Sequence, residues 1–579
     1  MSFLSSEKKL TWVYPTEDAE LVEQLTREFS IHPVTAQVLI SRGITKKKHI
    51  LSFLYAKLPN LHPPDLMSDI DKATERIHHA LQNDEPILIY GDNDVDGMTG
   101  TAVLVDFLRT LGAKVYFYVP SRKAKKATTV HEAIAFAAEK HCSLIITVDC
   151  GITETFEKSD SEAYKNIDII ITDHHEPTDK LQTALATLNP KLFNSKYPNR
   201  DLTGVGVAFK LAHAVLNYLI SVGEIQSDLV DLKRYLDLVA LGTIADMVPL
   251  RGENRILVRY GLQQLKKTQR IGLLKLIHVC DVNPEEISTL DVASKVAPRL
   301  NSLGRIDEPV KGVELLLLRD VQEAEKLAKE LDEMNLLRKK IEQRDSAVIE
   351  KYLKKHPEVL NEKALVFESG SIHPGIVAIL AARLVKEFNR PSVVISKEGG
   401  LGKGSIRTIR EFPVLQLLKD RRDLFVNFGG HDFAAGFTIR EENIATFRSY
   451  FIEQANNLLS DKDVQPKLYL DARVSFRDLT YEFLESLNLL EPYGADNPTV
   501  LLYTVVTQVR APKVISGKHL KLFLEDGDRF LEGIGFNMAK QKETLNKRDM
   551  KLHIAFTPQV NIYLNKSSIQ LQIKDFQIA

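Results

Sequence analysis

Four short, mostly apolar runs recur in the first half of the chain, and each leads into glycine, acidic residues or histidine. The runs occupy 87–90, 144–148, 167–172 and 238–245. A run of this length that ends in glycine or a polar cluster is typical of a buried strand followed by a loop. Apolar residues at helical spacing fall between the runs, as at 99–111. The alternation predicts an α/β domain that is doubly wound around a parallel sheet.

The residues that follow these runs carry the candidate chemistry. They are Asp92, Asp94 and Asp96, then Asp149, then Asp173, His174, His175 and Glu176, and finally Asp246. Ligands of open parallel sheets bind beyond the carboxyl ends of the strands, so we expect these side chains to converge in one crevice. Crowded carboxylates repel one another unless a cation lies among them, although a single such cluster also fits a polar turn or a helix cap.

The composition of this set indicates which cations it would bind. Aspartate and histidine without cysteine favour Mn²⁺ or Mg²⁺ over a structural zinc ion. The set holds more carboxylates than one hard cation needs, which predicts two ions. A two-metal site clamps the attacking and leaving oxygens of a displacement at phosphorus. The sequence therefore predicts phosphoester hydrolysis.

The remaining chain divides by pattern into further parts. Residues 320–356 contain no proline or glycine and have apolar residues three or four apart, which predicts one long helix. A second α/β pattern follows, and after it short alternating strands predict a β-barrel of the OB type. The predicted parts are a helical preface at 1–67, the first α/β domain at 68–319, a connecting helix at 320–357, a second α/β domain at 358–460 and the barrel at 461–579.

Several stretches are candidates for contact with a polyanion. The basic loop 121–126, the arginines of 298–305 and the glycine-rich stretches 402–407 and 429–437 each have a structural alternative, namely a solvated loop, an ion pair or a tight turn. Residues 506–579 carry twelve Lys/Arg against seven Asp/Glu with aromatic residues interleaved. This composition fits a barrel that binds single strands, with a purely structural domain as the alternative.

Overall composition narrows the function classes. The formal net charge of −1 means that a polyanion would have to be bound by local basic patches. The three cysteines do not suggest a disulfide framework and fit a reducing cytosol. The start of the sequence has no signal-peptide core, and no apolar run reaches transmembrane length. We expect a cytoplasmic protein with no membrane partner.

In order and spacing these motifs resemble the DHH phosphoesterases, which are named for the motif found here at Asp173-His174-His175. Within that superfamily the chain is similar to the bacterial exonucleases specific for single-stranded DNA, over nearly its whole length. The second α/β domain resembles the DHH-associated domain, and the barrel resembles the family's OB-fold. The motifs that carry the resemblance are 91–97, 148–151, 173–175, 242–246, 429–431 with 434–436, and 491–494 with 497–498.

The resemblance implies roles for particular residues. It implies that two Mn²⁺ or Mg²⁺ ions are held by Asp94, Asp96, Asp149, His174 and Asp246. Asp149 would bridge the ions, Asp92 would support them, and His175 would face the scissile phosphate. Contacts to the 5′ phosphate and the backbone of the strand would come from Arg122, Arg299, Arg305, Ser405, Arg407 and His431.

The resemblance also implies an activity and partners. The family degrades single-stranded DNA from the 5′ end in repair and recombination, with single-strand-binding protein and a helicase as expected partners and a monomer as the default state. The alternatives are a short-oligonucleotide or cyclic-dinucleotide phosphodiesterase, an inorganic pyrophosphatase and a non-catalytic replication scaffold. Residues 123–130 depart from the family's glycine-containing pattern, which affects how this loop would meet the 5′ end.

Overall fold

The computed structural model describes residues 10–121, 126–154, 166–177, 184–226, 228–545, 547, 549–563 and 566–579. The chain forms two compact units. The first comprises Lys57–Val464 and Gly494–Asp496, and the second comprises Glu7–Ala56, Gln465–Tyr493 and Asn497–Ala579.

The N-terminal part of the second unit contains one strand and three helices. These are β1 (Thr11–Val13), α1 (Ala19–Phe29), α2 (Pro33–Ser41) and α3 (Lys47–Tyr55). The segment predicted as a helical preface is therefore helical over much of its described length. It does not stand alone, because its apolar residues belong to the same core as the C-terminal barrel.

The first unit opens with the predicted parallel sheet. Its strands are β2 (Ile87–Gly91), β3 (Val115–Tyr118), β4 (Leu144–Val148), β5 (Asp168–Thr172) and β6 (Ala186–Leu188), in the order β3-β2-β4-β5-β6. All neighbouring pairs are parallel. Gly91 pairs with Val148, and Val148 pairs with Thr172. The carboxyl ends of the three central strands are therefore level, so the residues that follow them emerge side by side.

Helices cover this sheet and extend the domain. They are α4 (Ile70–Gln82), α5 (Val95–Thr110), α6 (Lys126–Glu139), α7 (Gly204–Ser221), α8 (Leu236–Ala245), α9 (Gly252–Leu265), α10 (Ile271–Val279), α11 (Ala297–Ile306) and α12 (Val310–Leu317). Among the described residues α7 alone is long and apolar enough to cross a membrane, but 67% of it is buried inside the fold. A core helix has this pattern.

Two predictions for this domain are wrong. The apolar run 238–245 is helix α8 and not a strand. Its residues are buried on all sides, so the run has no polar face to reveal a helical period. The nearby proline and glycine predict a loop over residues 298–305, but these residues lie in α11. Pro298 is the second residue of α11, which directly follows a π-helical turn at Val292–Val296.

The long helix predicted from the sequence is α13, which runs without interruption over Val321–Lys355, or 35 residues. Asp320 caps its start by accepting hydrogen bonds from the N–H groups of Gln322 and Glu323. The N-terminal part of α13 packs Ala328 and Leu331 into the core of the first domain. Its C-terminal part packs into a separate core with the next sheet. The helix thus belongs to two cores.

The next sheet has five strands in the order β10-β11-β9-β8-β7. These are β7 (Leu365–Ser369), β8 (Ser392–Glu398), β9 (Leu401–Arg407), β10 (Phe425–His431) and β11 (Ala434–Arg440), with helices α14 (Val377–Phe388), α15 (Leu415–Asp420) and α16 (Ile444–Leu458). Glycine-rich stretches often form loops with exposed N–H groups, but 402–407 lies within β9, which is paired on both sides by β8 and β11. The stretch 429–437 comprises the end of the edge strand β10, a turn and the start of β11.

The C-terminal strands close into a five-stranded barrel. The second unit adds β12 (Lys467–Tyr469), β13 (Ala472–Arg473), α17 (Tyr481–Leu487), β14 (Leu502–Ile515), β15 (His519–Asp526), β16 (Arg529–Gly535), β17 (Met550–Tyr563) and β18 (Lys566–Ile578). The order β14-β15-β16-β18-β17 returns to β14, which closes the ring. This confirms the predicted OB-type barrel.

Polar contacts join the N-terminal segment to the barrel region. Trp12 Nε1 donates to Asp575 Oδ2 at 2.7 Å, and β1 pairs in parallel with β12. Arg42 makes a two-pronged ion pair with Asp471, 3.0 Å for each bond, and the two side chains are only 8% and 12% exposed. Asp471 Oδ2 also accepts from the N–H of Leu501. One arginine therefore neutralises a carboxylate that is largely removed from water.

We predict that Arg42→Met lowers the free energy of unfolding of the second unit by about 3 kcal/mol, because it leaves the buried Asp471 carboxylate without a counter-charge. Trp12 is the single tryptophan of the chain, so its fluorescence during urea unfolding reports on this unit. Arg27→Met is the matched control. Arg27 forms an ion pair with Glu23, and their side chains are 77% and 73% exposed. Loss of this pair should change the free energy of unfolding by no more than about 0.5 kcal/mol. Equal effects of the two variants would contradict the role of Arg42.

Candidate metal centre

One strand-loop-helix turn supplies three carboxylates. Asp92 follows the last residue of β2, and Asp94 caps α5 by accepting from the N–H groups of Asp96 and Gly97 at 2.9 and 3.2 Å. Asp96 itself lies in the first turn of α5 and is buried. These hydrogen bonds fix the position of the Asp94 carboxylate relative to Asp96, because both donors belong to the first turn of α5.

Asp149 follows β4 and takes a left-handed backbone conformation with φ +62°. Few residues other than glycine adopt this conformation, so it is an outlier of the kind found at functional sites. Asp149 Oδ1 is buried, and no described residue donates a hydrogen bond to it. The atom lies 3.0 Å from His174 Nε2. A buried carboxylate oxygen that accepts no hydrogen bond can instead donate its electron pair to a cation.

His174 Nε2 lies among three carboxylates. It is 3.0 Å from Asp149 Oδ1, 3.7 Å from Asp96 Oδ2 and 3.8 Å from Asp246 Oδ2. Asp246 caps the end of α8, so a helix end delivers it to the site where we had predicted a strand end. Adjacent ligands of an octahedral ion at about 2.1 Å lie about 3 Å apart. The His174–Asp149 separation fits two ligands of one ion.

His175 is held by Asp173. His175 Nδ1 lies 2.8 Å from Asp173 Oδ1, and the same oxygen accepts from the N–H groups of His174 and His175. The other oxygen of Asp173 accepts from the N–H of Ile152. Asn189 Nδ2 donates to the carbonyl of His175 at 2.9 Å. Asp173 thus fixes the orientation of the ring and leaves Nε2 of His175 as the nitrogen available to a substrate.

The start of α7 meets the acids through its backbone. The N–H groups of Gly204 and Val205 donate to the two oxygens of Asp96 at 2.6 and 2.8 Å. A helix N-terminus favours an anion at this position. A Cβ on Gly204 would lie 2.5 Å from Asp149 Cβ, so only glycine leaves room for Asp149. A Cβ on Gly242 would likewise lie 3.0 Å from Asp96 Oδ1.

Burial and mutual repulsion perturb these groups. Burial, then the charges of other acids of the cluster, raises the pKa of Asp96 and of Asp149 well above the usual aspartate value. Burial, then Asp94, raises the pKa of Asp246 to about 7. Burial also lowers the pKa of His174 well below its usual value, which keeps its imidazole neutral and able to bind a metal ion.

His175 is perturbed in the opposite direction. Burial would lower its pKa, but the hydrogen bond and charge of Asp173, with Asp92 and Asp246 nearby, raise it to about 9. Burial would likewise raise the pKa of Asp173, but its bonds to His175 hold it at about 2. The two histidines of the motif therefore differ in charge. His174 is neutral, and His175 is a cation paired with Asp173.

Among the described residues, three sets of donor atoms could hold metal ions, and within each set the atoms lie no more than 4.8 Å from one another. They are Asp92, Asp94 and Asp149; Asp96, His174 and Asp246; and Asp149, His174 and His175. Asp149 and His174 are each shared by two sets. The donors are oxygen and imidazole nitrogen, with no sulfur, which fits Mn²⁺ or Mg²⁺. Asp92, expected only as a supporting residue, has an oxygen within the first set.

The structure places only some of the predicted substrate-binding residues beside the acids. The ring of His431 is nearly parallel to that of His175, at 7°, with centroids 6.0 Å apart. Arg305 Nη1 donates to the carbonyl of Gly375 at 3.2 Å, and a Cβ on the preceding residue, Gly304, would lie 2.0 Å from the carbonyl oxygen of Asn93. Arg305 and His431 thus lie beside the acids. Arg122 falls outside the described residues, as do 123–125 of the atypical loop.

The remaining candidates have structural contacts. Arg299 bonds Asp332 at 2.8 and 2.7 Å and donates to the carbonyls of Lys295 and Val279, which favours the structural alternative over phosphate binding. Ser405 is buried within strand β9, where its hydroxyl oxygen accepts from Arg407 Nη1 at 3.0 Å. A buried hydroxyl offers little surface to a strand of DNA, so the contacts of both Arg299 and Ser405 favour a structural role.

Two functional positions were missed by sequence reasoning. Asp173 was recognised only as part of a motif, although its spacing immediately before two histidines could have indicated that it orients one of them. From the sequence alone, Gly204, which forms a pair with Gly206, fits close packing as well as phosphate binding. The structure instead gives it two tasks at the metal centre, donation to Asp96 and clearance for Asp149. No local signal distinguishes these tasks, because Asp149 is distant in sequence.

Family models match three parts of the chain. The DHH family N-terminal domain matches residues 86–243, the DHHA1 domain matches 361–457, and the RecJ OB domain matches 470–575. Among characterised relatives, the single-stranded-DNA-specific exonuclease RecJ of Bacillus subtilis is 36% identical over 99% of this chain and 71% of its own length. The protein of the same name from Escherichia coli is 31% identical over 93% of this chain and 95% of its own length.

Solved structures agree with this assignment. RecJ of Thermus thermophilus in complex with Mn²⁺ superposes with a TM-score of 0.80 at 27% identity, and the match covers 99% of this chain and 80% of that one. The Mg²⁺ complex of the same protein gives a TM-score of 0.74 at 25% identity. Near-complete coverage, the order of the three matched domains and the cluster of acids around His174 agree. The chain belongs to the RecJ family of DHH phosphoesterases.

Proposed function

We propose that this chain is a 5′-to-3′ exonuclease that hydrolyses single-stranded DNA with two divalent cations, Mn²⁺ or Mg²⁺, and acts in the cytoplasm in DNA repair and recombination. One observation carries the proposal. Asp149 Oδ1 is buried without a hydrogen-bond donor among the described residues and lies 3.0 Å from the neutral His174 Nε2. If Nε2 of the neutral ring carries no proton, as a metal-binding nitrogen must not, it faces this oxygen as a second acceptor, and two acceptors at this distance repel unless a cation lies between them.

Asp92, Asp94, Asp96, Asp149, His174 and Asp246 would hold the two ions, and Asp149 is the residue best placed to bridge them. When bound, the ions lower the pKa of a water and stabilise the attacking and leaving oxygens at phosphorus. The N–H groups of Gly204 and Val205 fix the Asp96 carboxylate and favour its charged form, which opposes the burial and neighbouring acids that raise its pKa. Rigid ligands of this kind reduce the reorganisation that the reaction requires.

His175 would contact the scissile phosphate. Asp173 orients its ring and keeps it charged, so Nε2–H can donate to a phosphoryl oxygen on which negative charge develops. His431 and Arg305 would contact the backbone of the strand beside the site, and Arg407 and Arg122 are retained as further backbone or 5′-end contacts. Single-strand-binding protein and a helicase are the protein partners that we propose, with a monomer as the working state.

The domain organisation bears on the rival functions. The match to the RecJ OB domain and the closed barrel disfavour a short-oligonucleotide phosphodiesterase, because proteins of that class usually lack a C-terminal barrel. The complete set of ligands disfavours a non-catalytic scaffold. We retain the predicted boundaries of the parts, 1–67, 68–319, 320–357, 358–460 and 461–579, as proposals. They contain the matched ranges 86–243, 361–457 and 470–575.

We predict that Asp149→Ala lowers the rate of hydrolysis by more than about 100-fold, the upper range for losing even an outer partner of a metal ligand. Binding of single-stranded DNA, measured by fluorescence anisotropy, should remain. Asp461→Ala, which removes a carboxylate that is 90% exposed in the same unit, is the control. Hydrolysis by Asp149→Ala at the rate of the control would refute the metal assignment.

Removal of metal should have the same effect as loss of the ligands. A chelator should abolish hydrolysis, because neutral His174 and the crowded acids act only through bound cations, and added Mn²⁺ or Mg²⁺ should restore it. The test is a digestion time course with end-labelled single-stranded DNA. Persistent activity in excess chelator would exclude the two-metal mechanism.

We predict that Gly204→Ala lowers kcat by at least about tenfold, the smaller loss expected when a supporting contact of a metal ligand is disturbed. The added Cβ would lie 2.5 Å from Asp149 Cβ, so the bridging carboxylate must move. Gly370→Ala is the matched control, since a Cβ there meets nothing closer than 3.6 Å. Thermal unfolding of both variants should be compared, because a global loss of stability in Gly204→Ala alone would assign the defect to the fold.

The proposed polarity and strand preference can be tested together. Strands labelled at one end and blocked at the 5′ or 3′ end, and matched duplexes, should be digested side by side. We expect a 5′ block to stop digestion, a 3′ block to have no effect and the duplex to resist. Equal digestion of 5′-blocked and open strands would rule out recognition of the 5′ end.

A further inference from the structure

The segment that follows β6 leaves the sheet at the metal centre. Asn189 comes directly after β6, and its side chain donates to the carbonyl of His175. The same side chain accepts from the N–H of Lys191 at 2.7 Å. Asn189 therefore ties the start of segment 189–197 to the histidine that would face the scissile phosphate.

This segment is a rigid turn and not a loose loop. Leu192 and Tyr197 are both buried, and the Tyr197 hydroxyl donates to Glu253 Oε2 at 2.8 Å. Between them the N–H of Ser195 donates to the carbonyl of Leu192, and the Ser195 hydroxyl accepts from the N–H of Tyr197. Side-chain hydrogen bonds thus fix the turn at Asn189 and Tyr197, and further hydrogen bonds within the turn stabilise its conformation.

Phe193 projects from this braced turn into solvent. Its exposure is 104%, the highest among the exposed large apolar residues, whereas its neighbour Leu192 is buried. Single exposed apolar residues are common on protein surfaces and usually need no explanation. Here, however, a rigid turn holds the phenyl ring in solvent. Phe193 is four residues along the chain from Asn189, whose side chain contacts His175.

A cation lies on the same segment. The Lys191 side chain is 14% exposed, and its recorded ion-pair partner is Glu176 Oε1 at the long distance of 3.5 Å. Its charge is one of those that lower the pKa values of His174 and His431, after burial for both rings and after the charges of His175 and Asp173 for His174. Lys196 follows in the same turn. An exposed aromatic ring between lysines is the pattern of surfaces that bind single strands, where bases stack and phosphates pair with cations.

We infer that segment 189–197 is a nucleotide subsite of the catalytic centre, in which Phe193 stacks on a base of the single-stranded substrate while Lys191 contacts its phosphate backbone. The inference rests on the proposed function and adds to it a determinant of strand specificity. A base within a duplex is covered by its neighbours and paired, so its face is not available to Phe193, whereas a base in a single strand is. The subsite requires no particular base, because every base has a stacking face.

The test compares Phe193→Ala, Phe193→Tyr and the native chain on strands that carry one abasic residue at successive positions from the 5′ end, with Mn²⁺ present. For the native chain we expect a dip in kcat/KM at one position, where the missing base removes the stack. Phe193→Ala should lose about tenfold in kcat/KM on the intact strand, within the range reported for one base–aromatic stack. It should show no dip at that position, and Phe193→Tyr should restore both the rate and the dip.

Leu290→Ala is the matched control, because it removes another apolar side chain that is 73% exposed in the same unit and should leave every rate unchanged. Native rates for Phe193→Ala, or an equal loss on intact and abasic strands, would overturn the inference. These failures differ from failure of the proposed function, in which the native chain itself would not digest single-stranded DNA.

Discussion

The main constraint on this structure is a cluster of carboxylates that are buried close together. Each carries a negative charge when ionised. Asp96 and Asp149 are both removed from water, and burial followed by mutual repulsion raises the pKa of each. A cluster of this kind is unfavourable in an empty cavity, because neither water nor a counter-charge compensates it. Divalent cations would convert this cost into binding energy. The surrounding fold holds the acids close together in the absence of cations, so that the site is formed before cations bind.

Three devices of the backbone hold the acids in place. The level carboxyl ends of β2, β4 and β5 place the acids and histidines side by side. The N-termini of two helices support carboxylates, since α7 donates to Asp96 and α5 is capped by Asp94. Glycine at 204 lets a helix approach the Asp149 side chain at a distance that no other residue allows. Each device acts on backbone geometry, so the acids and histidines are positioned by the strand and helix ends next to which they lie.

Sequence patterns identified the acids and the histidines that the structure brings together, but not every element that carries them. The apolar runs before Asp92, Asp149 and Asp173 are strands as predicted, because short runs that end in glycine or polar residues identify strand ends. The run before Asp246 is a helix, and complete burial removed the polar face that would have shown its period. The acid nevertheless arrives at the same site, since the motif fixes the ligand and not the element.

The residues that the sequence could not place are those whose role depends on a distant partner. Arg299 was equally compatible with a phosphate or a carboxylate, and only the position of Asp332 on α13 decides for the carboxylate. Gly204 and Asp149 are separated by more than fifty residues, so no local pattern reports that one makes room for the other. The same limit applied to the N-terminal segment, where Arg42 finds its counter-charge at Asp471.

The second α/β domain completes the site and is more than an accessory to it. His431, at the end of β10, lies parallel to His175, and the carbonyl of Gly375 accepts from Arg305 beside the acid-bearing turn. Both contacts join the domain that holds the acids to the DHH-associated domain. Helix α13, packed into the cores of both domains, restrains the distance between them. A phosphate bound at His175 would therefore lie beside residues of both domains, so the second domain contributes to the site directly and not only by supporting the first.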